Sequence, residues 1–299
     1  MKFIKTLTTL LILPAFCASV SLAESAKLKV LIIDGQNNHK WQTTTPVLKE
    51  ALESSGAFTV TISTSPAKKS AVDAWANWKP NFSAYDTVVS NYNGEMWPEE
   101  IQKNFVNFVQ SGGGFVSVHA ADNAFGKWKE YNEMIGVGGW GGRKLIKDGT
   151  WLHVVDGKVV RDTTTTGNGG GHGPRRTFVV EHLDATHPIT KGLPEKWLHA
   201  KDELYCKLCG PAKNLDVIAH AESKLTKRNE PMLMTIAFGK GRVFHTTLGH
   251  DVEAMRCRGF FVTLQRGTEW AATGTVEKTA KVPADFPTAD KVSPVAAQK

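Results

Sequence analysis

The sequence lacks the charge runs and catalytic motifs that are typical of several classes of protein. It contains no run of five like charges, and its 29 acidic residues are interspersed among 36 basic ones, for a formal net charge of +7. This balance is typical of a solvated globular surface and does not favour nucleic-acid binding. The chain also contains no Gly-x-Ser-x-Gly elbow and no His-Glu-x-x-His helix. These absences exclude the usual secreted α/β-hydrolase and the common zinc-peptidase signature.

Phosphate-binding loops are missing as well. The glycine run at 112–114 precedes a strand pattern rather than a helix pattern. It therefore has the wrong context for a dinucleotide fingerprint or a Walker loop. We expect no nucleotide cofactor.

Cysteine is scarce, with four in 299 residues. Cys17 lies in the N-terminal segment, which leaves Cys206, Cys209 and Cys257, an odd number. Cys206 and Cys209 form a CxxC that lacks the second ligand pair of a zinc ribbon and does not open a helix as a thioredoxin motif does. We interpret it as an incidental pair or a local disulfide. A redox or metal-carrier role is the weakest of the functional hypotheses.

The N-terminal segment has the pattern of a secretory signal peptide over residues 1–23. Lys2 and Lys5 precede a largely apolar core over 6–20, and a small-x-small cleavage site ends the segment at 21–23. The apolar core is too short for a comfortable membrane span. We therefore expect a periplasmic or secreted protein with no membrane span after cleavage; an uncleaved anchor or a lipoprotein is the alternative.

Strand and helix patterns alternate in the first half of the mature chain. Short apolar, β-branched runs predict strands at 27–33, 58–62, 85–90 and 115–118, with helices opening at Thr43–Pro46 and spanning 98–110. This alternation is typical of a parallel sheet covered on both faces. A hairpin turn is predicted at 238–241. We expect a single α/β domain over 24–275, a glycine-rich insertion or lid between 136 and 176, and a flexible tail over 276–299.

Polar residues follow three of the predicted strands, at 34–39, 91–95 and 119–123. Ligands of open α/β sheets bind at the carboxyl ends of the strands. We expect His39 and His119 to approach each other there from adjacent strands, as metal ligands or as acid and base.

Other candidate site residues come from the second half of the chain. Asp202 and Glu203 would point to opposite faces of a strand, so at most one of them faces a site. His250 follows a predicted strand, and Asp251 is placed to orient its imidazole. Trp140 lies between glycines and is suited to stacking on a sugar ring.

Four sequence blocks carry a resemblance to a known family: VLIIDGQNNHKW at 30–41, GGGFVSVHAA at 112–121, LHAKDELY at 198–205 and GRVFHTTLGHD at 241–251. With them the chain resembles the ThuA-like, or trehalose utilisation, family from about Lys29 to Gly274. That family is similar in fold to the class I glutamine amidotransferases. The resemblance implies a flavodoxin-like, doubly wound, mostly parallel sheet.

The resemblance also implies what the site lacks. Glutamine amidotransferases place a nucleophilic cysteine at the elbow where His119 stands here. Their Phe-His-Pro-Glu motif has only a partial counterpart in Phe244-His245-Thr246-Thr247. Without a thiolate no acyl-enzyme can form, so we expect no glutaminase activity.

The family is associated with the catabolism of trehalose and related glycosides through 3-keto sugars. The resemblance therefore implies an exported enzyme that cleaves 3-keto-glycosides by acid–base elimination or hydrolysis, with one divalent metal ion as an option. A non-catalytic sugar-binding protein is the alternative, and the oligomeric state is open. We expect a small sugar or glycoside as partner, catalytic roles for His119, Glu203, His250 and Asp251, substrate contacts from Asn37, Trp140, Arg143 and Tyr205, and a metal at His39 and His119.

Overall fold

The computed structural model describes residues 26–297. The predicted signal peptide at 1–23 lies outside the described residues. The strands are β1 Leu28–Asp34, β2 Phe58–Thr64, β3 Thr87–Ser90, β4 Gly114–Val118, β5 Thr150–Val155, β6 Lys158–Asp162, β7 Gly171–His172, β8 Arg176–His182, β9 Lys196–Asp202, β10 Tyr205–Cys206, β11 Cys209–Gly210, β12 Leu215–Glu222, β13 Asn229–Phe238 and β14 Gly241–Thr246. The α-helices are α1 Trp41–Glu53, α2 Val72–Asn77, α3 Glu99–Gln110, α4 Lys129–Ile135, α5 Val252–Met255 and α6 Arg258–Thr273.

One large mixed sheet organises the chain in the order β2-β1-β3-β4-β14-β13-β12-β8-β9. Four of its strand pairs are parallel. Seven pairs of the same sheet are antiparallel. The fold is α/β, but the prediction of a mostly parallel, doubly wound flavodoxin-like sheet is not confirmed. The hairpin predicted at 238–241 joins β13 to β14, and so short a connection permits only antiparallel pairing.

The parallel half is buried on both faces, as its continuous apolar strands predict. Along β1, Val30 and Ile32 pack into a core with α1 and α6, whereas Leu31 and Ile33 face a second core with α3 and α4. Successive side chains of a strand point to opposite faces, so an unbroken apolar run needs helices on both sides. Phe105 of α3 is fully buried in the second core. These helices leave the carboxyl ends of the strands as the open edge.

Helix α1 begins two residues before its predicted opening at Thr43. It opens at Trp41 after Lys40, and Pro46 lies inside it. Thr44 and Thr45 are buried, and the side-chain amide of Asn91 donates to their hydroxyls at 3.0 and 2.9 Å. A tertiary contact therefore uses the hydroxyls that the local sequence offers for capping.

The glycine-rich stretch at 136–176 contains more regular structure than the sequence pattern indicates. Strands β5 and β6 form a hairpin in the large sheet, and β7 pairs with β10. The hairpin turn is Asp156-Gly157, with both residues at positive φ, 49° and 71°. Asp-Gly between apolar runs is a strong two-residue hairpin signal. This signal in the sequence identifies the hairpin that the prediction missed.

The segment after α6 differs from the flexible tail expected over 276–299. Its described part lies against the domain: Phe286 is buried, with its ring 5.8 Å from that of Trp197. Glu269 of α6 accepts the backbone N–H of Thr279 at 2.8 Å. Within residues 26–297, no helix is both long enough and apolar enough to cross a membrane.

Candidate functional site

A cavity of about 470 Å³ opens at the carboxyl ends of the parallel strands. Polar and aromatic side chains line it, together with one glycine: Asn38, His39, Asn93, Asn123, Trp140, Gly141, His172, Glu203 and Tyr205. The loops after β1, β3, β4 and β9 contribute to this wall, and so do residues of the glycine-rich stretch. These groups converge at the edge of the sheet where the sequence predicts the site.

His39 and His119 do approach each other, with ring centroids 5.1 Å apart. They do not come from adjacent strands, because β3 lies between β1 and β4. His119 directly follows β4 and has a positive φ of 46°. A non-glycine residue in this conformation is strained, and such strain is common at functional sites.

The backbone sets the tautomer of His119. Its Nδ1 lies 2.6 Å from the carbonyl oxygen of Thr247. A carbonyl only accepts hydrogen bonds, so Nδ1 carries the proton. Nε2 is the nitrogen that remains for a proton or a metal ion, and among the described residues it has no hydrogen-bond partner although it is buried.

Glu203 lies among three imidazoles. Its Oε2 is 3.7 Å from His119 Nε2, and its Oε1 is 3.3 Å from His250 Nε2 and 3.7 Å from His172 Nδ1. Burial raises the pKa of this carboxyl, but the imidazoles of His119 and His250 outweigh burial and lower it. Glu203 is therefore held as a carboxylate, which disfavours a general-acid role for it.

The pKa values of His39 and His119 are shifted in opposite directions. Burial lowers the pKa of His39 to about 4, assisted by the neighbouring His119 and His250. For His119, burial also lowers the pKa, but the facing Glu203 and the nearby Asp202 outweigh it and raise the value. The site thus keeps His39 neutral beside a histidine whose proton is stabilised.

Asp202 fixes the backbone around the site rather than facing the cavity. It is fully buried, and its two oxygens accept the backbone N–H groups of Glu203, Gly249 and His250 at 2.8, 2.7 and 3.0 Å. His199 Nε2 lies 2.9 Å from Oδ2. Of the two carboxylates, Glu203 lines the cavity and Asp202 is not part of its lining.

The predicted pairing of His250 with Asp251 does not form a hydrogen bond. His250 Nδ1 and Asp251 Oδ2 are 3.5 Å apart, and His250 Nδ1 has no hydrogen-bond partner in the described chain. Asp251 instead caps α5 by accepting the N–H of Ala254 and pairs with Arg175 at 2.7 Å. Glu203 is the carboxylate that faces the His250 ring.

Arg143 is a structural residue and not a substrate contact. Its side chain is buried, and it donates to the carbonyl oxygens of Asn123, Ala124 and Gly139 and to the side-chain oxygen of Asn132. A guanidinium has five N–H donors and no acceptor, so carbonyl groups satisfy it well. It joins the loop after β4 to the glycine-rich stretch.

The other expected substrate contacts lie in two places. Tyr205 and Trp140 line the cavity; the Tyr205 ring centroid is 4.1 Å from that of His119 and 4.6 Å from that of Trp140. Asn37 is outside the lining. Its side-chain oxygen accepts the backbone N–H of His39 at 3.0 Å, so Asn37 positions that histidine.

The sequence reasoning missed His172. This residue lies on β7, opposite Tyr205 of β10, and its Nδ1 is 2.9 Å from the carbonyl oxygen of Gly173. Nδ1 therefore carries the proton, and Nε2 has the free lone pair. Like Trp140, it lies between glycines, and that shared setting was the signal available in the sequence.

The Cys206–Cys209 pair gives no support to a redox role. Cys206, Cys209 and Cys257 are buried free thiols. Burial raises the pKa of Cys206 to about 12 and that of Cys209 to about 11. Thiolate is the reactive form, so both thiols are expected to be unreactive at neutral pH.

A mixed α/β sheet that gathers histidines and one carboxylate at the ends of its parallel strands defines a histidine–carboxylate site. The family model for ThuA, described as trehalose utilisation, matches residues 29–271. The chain therefore belongs to the ThuA family, which places it in carbohydrate metabolism.

Solved structures agree with this assignment. The chain is 45% identical to a ThuA-like protein from Parabacteroides merdae, with a TM-score of 0.85 over 90% of this chain and 98% of that one. A ThuA-like protein from Bacteroides uniformis is 16% identical, with a TM-score of 0.56 over 88% of this chain and 100% of that one, and shows the fold alone. The chain matches no curated protein significantly.

Proposed function

We propose that this protein is an exported enzyme that cleaves 3-keto-glycosides, either trehalose-related or of other glucosides, by acid–base elimination. The observation that carries the proposal is the Glu203 carboxylate among three imidazoles at a polar cavity. Proton transfer needs such groups within reach of one another. Cysteine nucleophiles are absent from the cavity lining, and an elimination requires none.

The chemistry starts from the ketone at C3, which acidifies the hydrogen on C2. His172 is suited to be the base, because its Nε2 lone pair is free and the residue lines the cavity. Removal of the C2 proton leaves the electron pair in an enolate across C2, C3 and the ketone oxygen. That developing charge must be stabilised by the site.

The second half of the reaction breaks the glycosidic bond. The electron pair returns to form a C1–C2 double bond as the C1–O bond breaks, and the leaving oxygen takes a proton from His250. His250 is suited to this step because its Nε2 lies 3.3 Å from the Glu203 carboxylate at the edge of the cavity. Addition of water to the double bond afterwards gives net hydrolysis.

The lining favours a sugar as the bound molecule. Asn38, Asn93 and Asn123 present side-chain amides, which donate to and accept from sugar hydroxyls. Trp140 and Tyr205 present ring faces, which pack on the apolar faces of sugars.

The test is incubation of the purified protein with 3-keto-trehalose and an aryl 3-keto-glucoside, with release of the leaving group followed over time. We expect release by the wild type and a loss of about 100-fold or more in Glu203→Gln and His172→Gln. Glu222→Gln, at an exposed carboxylate outside the cavity, is the matched control and should keep full activity. Saturable binding of the keto-sugar without release would instead establish the sugar-binding alternative.

Export is part of the proposal and rests on the pattern at 1–23 alone. Expression of the full chain in a Gram-negative host, followed by mass determination of the periplasmic product, tests it. A chain that begins after residue 23 supports export, and an intact N-terminus in the cytoplasm contradicts it.

A further inference from the structure

We propose that His39, His119 and Glu203, called here the histidine–glutamate cluster, bind one divalent transition-metal ion. The two imidazole nitrogens and the carboxylate oxygen lie within 4.8 Å of one another. Two histidines and one carboxylate with open coordination positions are a recurrent site for Zn²⁺ and Fe²⁺. Mg²⁺ and Ca²⁺ prefer all-oxygen sites, so we expect the cluster to discriminate against them.

The strongest support is the state of His119. Its side chain is buried, with 2% exposure, and its Nε2 faces Glu203 without a hydrogen-bond partner in the described chain. The Thr247 carbonyl fixes the proton on Nδ1, so Nε2 is the only ring nitrogen left to coordinate. A histidine held in this way by a backbone carbonyl is typical of metal ligands in proteins.

His39 is positioned by the two asparagines that precede it, in a different manner from His119. Asn37 accepts its backbone N–H, and the side-chain amide of Asn38 lies 3.1 Å from Nε2. Asn93 in turn donates to the oxygen of Asn38, which leaves the Asn38 amide nitrogen as the group that faces the ring. An amide nitrogen only donates, so Nε2 of His39 accepts from it and carries the ring lone pair; a cation bound at Nε2 would replace this hydrogen bond.

The spacing of the cluster suits ligands of one ion better than it suits hydrogen bonds. Glu203 Oε2 is 3.7 Å from His119 Nε2, which is beyond a normal hydrogen bond. Ligand atoms at the usual 2.0–2.2 Å from an ion are about 3.0–3.5 Å from one another. Closure of the cluster on a cation therefore requires only small side-chain shifts.

The cavity gives the cation an open side. His39 and Glu203 belong to its lining, together with Trp140 and His172, so a ligand in the cavity can reach the remaining coordination positions. A metal with open positions polarises a carbonyl oxygen and stabilises an enolate. This catalytic role rests on the proposed function, whereas the binding of the ion does not.

The test is metal binding, measured apart from activity. The protein is stripped with a chelator, and Zn²⁺, Co²⁺ and Mg²⁺ are titrated separately by calorimetry, with the visible spectrum recorded for Co²⁺. We expect one Zn²⁺ or Co²⁺ per chain and no saturable binding of Mg²⁺. His39→Gln and Glu203→Gln should each weaken the transition-metal affinity by about 100-fold or more.

His172→Gln is the matched control, because His172 adjoins Glu203 but lies outside the cluster; it should change the affinity by less than about threefold. His39 is only partly buried, so its replacement preserves the fold if the buried His119 proves intolerant of substitution. Absence of stoichiometric binding, or equal affinity in His39→Gln, would overturn the inference. Metal binding without cleavage of keto-glycosides would overturn the proposed function and leave the metal site standing.

Discussion

Asp202→Asn probes the layer beneath the site. Oδ1 of Asp202 accepts two backbone N–H groups, and Oδ2 accepts a third together with His199 Nε2. Asparagine has one oxygen, so its amide group would face two buried donors, and the anion beside His199 would be lost. Breaking a buried pair of this kind typically costs about 3–5 kcal/mol. We expect the free energy of unfolding to fall by that amount at neutral pH.

The penalty has a defined pH dependence. Burial lowers the pKa of His199, but Asp202 and then Cys257 outweigh it and raise the pKa to about 9. A raised histidine pKa contributes stability that is complete below its unfolded value of about 6.5 and is lost as the pH rises through about 9. The cost of Asp202→Asn should therefore be full at about pH 6 and smaller at about pH 10.

Urea unfolding followed by tryptophan fluorescence measures both effects. Asp216→Asn, at an exposed position of β12, is the matched control and should change stability by less than about 0.5 kcal/mol. A penalty for Asp202→Asn that equals the control, or one that is the same at all pH values, would refute the reasoning. Because Asp202 holds the backbone of Glu203 and His250, we also expect kcat to fall more than KM rises.

Three further predictions concern stability. Burial raises the pKa of Glu230 to about 7, so the free energy of unfolding of the wild type should fall by about 3 kcal/mol between about pH 4.5 and pH 8. In urea titrations, Glu230→Gln should not show this fall. Arg143→Met should lower the free energy of unfolding by about 3 kcal/mol or more, because several buried carbonyls lose their donor, and an unchanged Tm would contradict this. Gly267→Ala should lower the free energy of unfolding by about 1–3 kcal/mol, because a Cβ there meets the Phe244 ring. An unchanged Tm in calorimetry would count against it.

The sequence predicts where a site residue lies only when that residue follows an apolar strand pattern. His39 and His119 follow apolar strands, so sheet geometry alone indicates their shared edge. His172 lies between glycines and does not follow an apolar strand pattern, and its place depends on β7 pairing with β10. Arg143 and Asp251 were also expected at the site; in the structure Arg143 donates to backbone carbonyls, and Asp251 caps α5 and pairs with Arg175.

The sequence by itself determined the parallel half of the sheet, its helices and the family. Continuous apolar strands and amphipathic helices encode burial over a few residues, and that information is local. Only the tertiary structure decided that the sheet continues as an antiparallel half and that Glu203 lies among three imidazoles. It also decided that the Arg143 guanidinium donates to backbone carbonyls. Those outcomes depend on which distant groups satisfy each buried donor and acceptor, and no local pattern specifies such pairings.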